Sequence, residues 1–179
     1  YLNAALELEK KKHPNKEIIP AGIFYYQMKD PMVEKTEEDQ VQDALLKELR
    51  PDGLVSSDPE VLNHLDHTGT RSSLAAPFAR NKDGSISKTS RAASRKEFEL
   101  LSSYTMKKTG QLKEEILEGN AKKEPYELGT STGCDYCPYH GICGFDEKIE
   151  GCGYRNLVSQ KREEIFRLIA RELSEWEGE

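Results

Sequence analysis

At 179 residues the chain is long enough for one domain with a real core and too short for two large ones. A net charge of −6 with pI about 5.4 gives no global attraction to nucleic acid, so any such contact must come from a local patch. With 36% apolar residues and a mean hydropathy of −0.76, no run of about eighteen apolar residues occurs, which excludes a membrane-spanning helix.

Tyr1 already stands inside a helical pattern, with Leu2, Ala5, Leu6 and Glu9 on one face and no capping residue before them. That beginning predicts a piece of a longer polypeptide. The helix closes on Lys10-Lys11-Lys12 and breaks at His13-Pro14. Ile18 to Tyr26 is a run of branched and aromatic residues, and its near-continuous apolar character predicts a buried strand. From about Glu37 to Arg50, Val41, Leu45, Leu46 and Leu49 form the stripe of a second helix, which the turn signature Pro51-Asp52-Gly53 stops. Gly53 to Asp58 reads as a short extended piece, and Asp58-Pro59-Glu60 as the cap of a brief helix to His67.

Residues 71–96 differ from the rest. Arg71, Arg80, Lys82, Lys88, Arg91, Arg95 and Lys96 face one acid, Asp83, in a stretch rich in Ser, Thr and Ala. Asn81 to Gly84 has the composition of a hairpin turn. This basic insertion is either a solvated mobile loop or a phosphate-contacting surface, and Arg91, Arg95 and Lys96 are the candidate DNA-binding residues. Ser94 with Glu97 makes a capping box for a long helix to about Gly119, with Gly110 a site for a kink. A loop through Pro125-Tyr126 follows, and Leu157 onward is expected to be helical on the stripe Ile165, Leu168, Ile169, Leu173 and Trp176. The class is α/β (α+β) and helix-rich. Residues 1–129 form one part, and 130–179 hold a cysteine motif and the terminal helix.

Chemistry concentrates at Cys134, Cys137 and Cys143, spaced C-x2-C-x5-C in a turn-rich stretch shaped by Pro138 and Gly141. Such a knuckle turns its first two sulfurs to one side, which suits a metal centre. Cysteines clustered in this way fit metal binding in a reducing cytoplasm better than a disulfide framework, so the reading is cytoplasmic. Three thiolates do not close a four-coordinate site. Cys152 offers a local fourth ligand, and a zinc module closed by it is the alternative reading. Pro51-Asp52 and Asp146-Glu147-Lys148 spell a nuclease-type carboxylate and Asp-x-Lys set only on paper, because both stand in turns rather than on adjacent strands. His64, His67 and His140 read as surface residues.

Several stretches together resemble one family. Pro20 to Tyr26 resembles the strand after the core in RecB-type nuclease domains. Cys134 to Asp146 and the later Gly153-Tyr154-Arg155-Asn156-Leu157 are similar to the terminal cysteine and Tyr-Arg-x-Leu elements of the AddB family, which belongs to the bacterial ATP-dependent helicase/deoxyribonucleases. The resemblance implies the late part of a restriction-endonuclease-type nuclease domain. Its Mg²⁺-dependent hydrolysis of DNA phosphodiesters would serve end resection in double-strand break repair and homologous recombination. It implies a heterodimer with an AddA-like helicase/nuclease subunit, acting on double- and single-stranded DNA.

It further implies that Cys134, Cys137 and Cys143, with a fourth cysteine far upstream, hold a structural [4Fe–4S] cluster that staples the domain. Tying distant segments in this way removes loop-closure entropy from the unfolded chain. Tyr1 falls where the tyrosine of the family's Q-x3-Y motif stands, and the catalytic carboxylates are expected before it. Residues 1–179 alone are therefore expected to be inactive and to hold little or no complete cluster.

Overall fold

A computed structural model describes residues 1–28, 30–33, 40–69 and 71–177. Contacts divide the chain into two compact units, Tyr1–Ser102 and Ser103–Glu179. Both mix helix with a small sheet, as the composition predicts.

In the first unit β2 (Asp52–Ser56) is the central strand, between β1 (Gly22–Tyr25) and β3 (Ala92–Ala93). β1 runs antiparallel to β2 in the register Ile23↔Leu54, and β3 runs parallel to it through Val55↔Ala92. Val55 is fully buried because it lies at the crossing of both pairings. Around it gather Leu62 of α3 (Pro59–Leu65), Ala76, Phe78 and Ala92, with Leu65 and Ile86 against them. Burying a side chain such as Phe78 contributes about 1.5–3 kcal/mol.

Three expectations change here. Ile18–Pro20 lies outside the strand, and β1 is an edge rather than a buried strand: Tyr25 and Tyr26 are 69% and 66% exposed. Pro51-Asp52-Gly53 does not make a turn, since Asp52 and Gly53 enter β2 directly. Glycine is needed there because φ is +140° and a Cβ would stand 2.0 Å from the Ile23 carbonyl oxygen. The solvated-loop reading of 71–96 also fails, because Ser73, Ala76, Phe78, Ala92 and Ala93 are buried in the core. The small side chains that mimic a loop composition are those that let this segment lie close under the sheet.

Local punctuation follows the sequence closely. The Asp58 carboxylate accepts from the N–H groups of Glu60 and Val61 at 2.8 and 3.4 Å, capping α3. The turn at Asn81–Gly84 closes with the Asn81 N–H donating to the Ser85 carbonyl at 2.8 Å. α1 (Leu2–Lys12) is tied within the unit by Asn3, whose amide donates to the Ser102 carbonyl and accepts from the Ser102 hydroxyl. α2 spans Val41–Glu48; the start expected near Glu37 lies outside the described residues.

α4 (Arg95–Leu117) opens on the capping box: the Ser94 N–H donates to Glu97 Oε2 at 2.6 Å and the Glu97 N–H to Ser94 Oγ at 3.3 Å. It runs unbroken through Gly110. In the second unit its later turns meet α6 (Arg162–Glu177), where Tyr104 stacks on Trp176 and Lys108 pairs with Glu172 at 2.6 Å. Ile169 and Leu173 are buried on the expected α6 stripe. The second sheet has the order β5-β4-β6, with β4 at Tyr126–Leu128, β5 at Ser131–Thr132 and β6 at Arg155–Leu157. Leu157 therefore ends a strand rather than starting a helix, and Tyr126 begins one rather than lying in a loop. Three-residue strands with exposed, polar content carry too little periodicity to be read from sequence.

Candidate metal centre

The cysteine stretch hangs from this second sheet. β5 turns back along β4, with Glu127↔Thr132 in register, and delivers the chain directly to Cys134. Two successive turns follow: the Cys137 N–H donates to the Cys134 carbonyl at 3.2 Å, and the His140 N–H to the Cys137 carbonyl at 3.3 Å. The short helix α5 (His140–Cys143) then carries Cys143, whose N–H reaches the Tyr139 carbonyl at 2.9 Å. Gly144 ends it in the left-handed region, φ 63°, which a glycine adopts without strain. The Lys123 ammonium caps the loop by donating to the carbonyls of Cys143 and Gly144 at 3.4 and 3.3 Å.

A second set of bonds fixes Cys134. Its N–H donates to Thr132 Oγ1 at 3.2 Å, while the Thr132 hydroxyl and N–H donate to the Asp135 carboxylate at 2.7 and 2.9 Å. Those two bonds from Thr132, side chain first, hold the Asp135 carboxyl below the usual range. The Tyr154 phenol lies within hydrogen-bonding reach of the Cys134 sulfur and the Thr132 side chain. The bond to Cys134 foremost, then burial, pushes its pKa up and keeps the hydroxyl protonated.

All four cysteines are free thiols, with Cys134, Cys137 and Cys152 partly buried and Cys143 exposed. The donor set fits a thiolate-ligated centre in type and in loop length: three soft sulfurs within ten residues, on a backbone held by turns. Among the described residues, no three His, Cys, Asp or Glu side chains stand close enough to hold an ion together. The thiols of the motif are thus neighbours on one loop without converging on a point. Cys152 sits apart from them in chain, at a turn where its N–H donates to the Ile149 carbonyl at 3.0 Å.

The carboxylates tell a different story. Asp52 begins β2 and accepts both short contacts of the Arg91 guanidinium, at 2.7 Å each. Asp146 turns onto its own backbone, accepting from the Lys148 N–H at 3.0 Å. These residues do not fit a Mg²⁺ site. Of the cations proposed for DNA, Arg91 is held by Asp52, and Arg95 by Glu17 and by Glu99. Lys96 is exposed and forms no ion pair among the described residues. Tyr1 stands at the N-terminal end of α1 with its side chain fully exposed. The features that sequence reasoning missed are Tyr154, Thr132 and Lys123, which converge on the cysteine loop from both sides.

The model of the PD-(D/E)XK nuclease superfamily matches residues 1–144. The chain is 37% identical over 177 residues to the B component of an ATP-dependent helicase/deoxyribonuclease from Thermoanaerobacter sp. (strain X514), covering 97% of this chain and 15% of that protein. The corresponding protein from Alkaliphilus metalliredigens (strain QYMF) is 38% identical over 174 residues, covering 96% and 15%. That of Lachnoclostridium phytofermentans is 37% identical over 181 residues, covering 96% and 16%. The chain thus spans about 15% of the length of the curated relatives it matches.

Proposed function

Since the chain belongs to the PD-(D/E)XK nuclease superfamily, we propose that it is part of the AddB-type component of an ATP-dependent deoxyribonuclease, working at double-strand break ends in repair and recombination. The observation that carries this reading is the similarity over nearly the whole chain to helicase/deoxyribonuclease components of that type. Superfamily membership sets aside a stand-alone zinc module without nuclease ancestry. It leaves the metal bound at the cysteines to be settled by assay.

In this proposal the Mg²⁺-binding carboxylates of the whole enzyme lie outside residues 1–179, and Asp52 has a structural role. The enzyme works in the cytoplasm with an AddA-like helicase/nuclease subunit and engages double- and single-stranded DNA. No helix among the described residues is long and apolar enough to cross a membrane. Lys96 is the best placed of the three candidate cations for a phosphate contact, because Arg91 and Arg95 must first share or release their carboxylates.

Cys134, Cys137 and Cys143, with a fourth cysteine upstream, would hold a [4Fe–4S] cluster. When bound, it would supply a covalent tie between distant segments rather than redox chemistry. The residues of this chain prepare that tie. Thr132 and Asp135 hold the Cys134 backbone, the two turns carry the chain through Cys137, and Lys123 secures the end of the loop behind Cys143.

The test is degradation of linear duplex DNA by the whole polypeptide co-purified with its partner subunit. ATP- and Mg²⁺-dependent release of nucleotides is expected. A purified complex that unwinds no DNA and cuts none in any divalent metal overturns the reading.

A further inference from the structure

Several constraints meet on Tyr154, a residue that the cluster reading itself does not use. Its ring packs edge-on against Phe145, with centroids 4.9 Å apart and planes at 63°. The next residue, Arg155, donates its N–H to the Pro125 carbonyl at 2.8 Å and begins β6 in parallel register with Tyr126 of β4. Backbone and ring are therefore both held, and the hydroxyl stands within reach of the Cys134 sulfur and the Thr132 side chain. Thr132 gives its single hydroxyl hydrogen to Asp135 and accepts the Cys134 N–H. A threonine hydroxyl has one hydrogen to donate. The donor in this group is therefore the phenol, and the sulfur is the soft acceptor it faces.

We infer that Tyr154 is a positioning residue for the Cys134 ligand, donating its phenolic hydrogen to that sulfur and closing the loop from Cys134 to Tyr154 at both ends. This rests on the cluster reading above. A hydrogen bond to a ligating thiolate withdraws electron density from the sulfur and stabilises the more negative, reduced cluster. It also holds the side chain in one direction, so the ligand arrives ordered. Phe145 supplies the wall that keeps the ring from turning away.

The experiment uses the whole polypeptide, purified without oxygen, and compares wild type with Tyr154→Phe, which keeps the ring and its contact with Phe145. Iron and labile sulfide, cluster lifetime in a chelator, and the midpoint potential are read together. The variant is expected to bind the cluster but to lose it to chelator about tenfold faster, in line with other outer-shell changes. At a fixed solution potential its reduced-to-oxidised ratio is expected to fall severalfold. Equal lifetimes and equal potentials with iron bound in both proteins overturn this inference alone. Faster loss with an unchanged potential also overturns it, leaving only a packing role. A wild type that binds no iron overturns the cluster reading, and this inference with it.

Discussion

Asp52 and Arg91 face each other across the sheet of the first unit, both carboxylate oxygens lying 2.7 Å from one guanidinium nitrogen. The sequence offers these residues for two separate jobs, one as a stray catalytic carboxylate and the other as a phosphate contact. The pair joins the first residue of β2 to the residue just before β3, where the Arg91 carbonyl also accepts from the Val55 N–H at 2.9 Å. Its role is to hold the parallel strand in register.

Asp52→Asn is accordingly expected to leave the Mg²⁺-dependent nuclease rate of the whole enzyme unchanged. The side chains are 53% and 68% exposed, so the loss in stability is expected within the ~0.2–1 kcal/mol of an exposed pair. Rate assays and denaturant melts on the same preparation check both. Abolished cutting with an intact fold would make Asp52 catalytic.

Phe78→Ala separates a core segment from a loop. Phe78 is 2% exposed among Val55, Leu62 and Ala92, so truncation should cost about 3–5 kcal/mol. Lys82→Ala, in the nearby exposed turn, should stay within about 0.5 kcal/mol. Equal denaturation midpoints for the two variants would restore the solvated-loop reading of 71–96.

Ser94→Ala removes half of the capping box at α4. The Glu97 N–H loses its acceptor, and the expected loss is about 1 kcal/mol, measured by thermal or denaturant unfolding. Ser94→Asp, which restores an acceptor at the cap, should recover most of it.

Asp66 gives the first unit an acid-sensitive latch. Hydrogen bonds from Ser73 first and then Thr68 hold its carboxyl below the ordinary value of 3.8. A carboxyl with a depressed folded pKa stabilises the fold fully above its unfolded pKa, and the contribution fades as pH falls through the folded one. Stability should therefore be flat in this respect at neutral pH and fall below about pH 4. Asp66→Asn should flatten that acid limb in a pH series of denaturant melts, and an unaltered limb would contradict the assignment.

Signals that act within a few residues were legible. Ser94 with Glu97, Asp58 before Pro59, and Asn81 to Gly84 each name their own hydrogen bonds, and each forms them. What was not legible depends on partners far along the chain. Ser73, Ala76 and Ala92 are small because a sheet lies above them, which a single stretch cannot announce. The run through Phe24 and Tyr25 looks buried by composition and stands at an edge in this chain. The cysteines were plain as a motif. Tyr154 was not plain as their neighbour, because twenty residues separate it from Cys134 and only the parallel pairing of β4 with β6 returns it there.

The central claim is tested most directly by metal analysis of the whole polypeptide purified without oxygen, in wild type and in single Cys→Ser variants. About four iron per chain are expected in wild type. Cys134→Ser, Cys137→Ser and Cys143→Ser should each lose them, and Cys152→Ser should keep them. About one zinc per chain, lost on Cys152→Ser, would contradict the account.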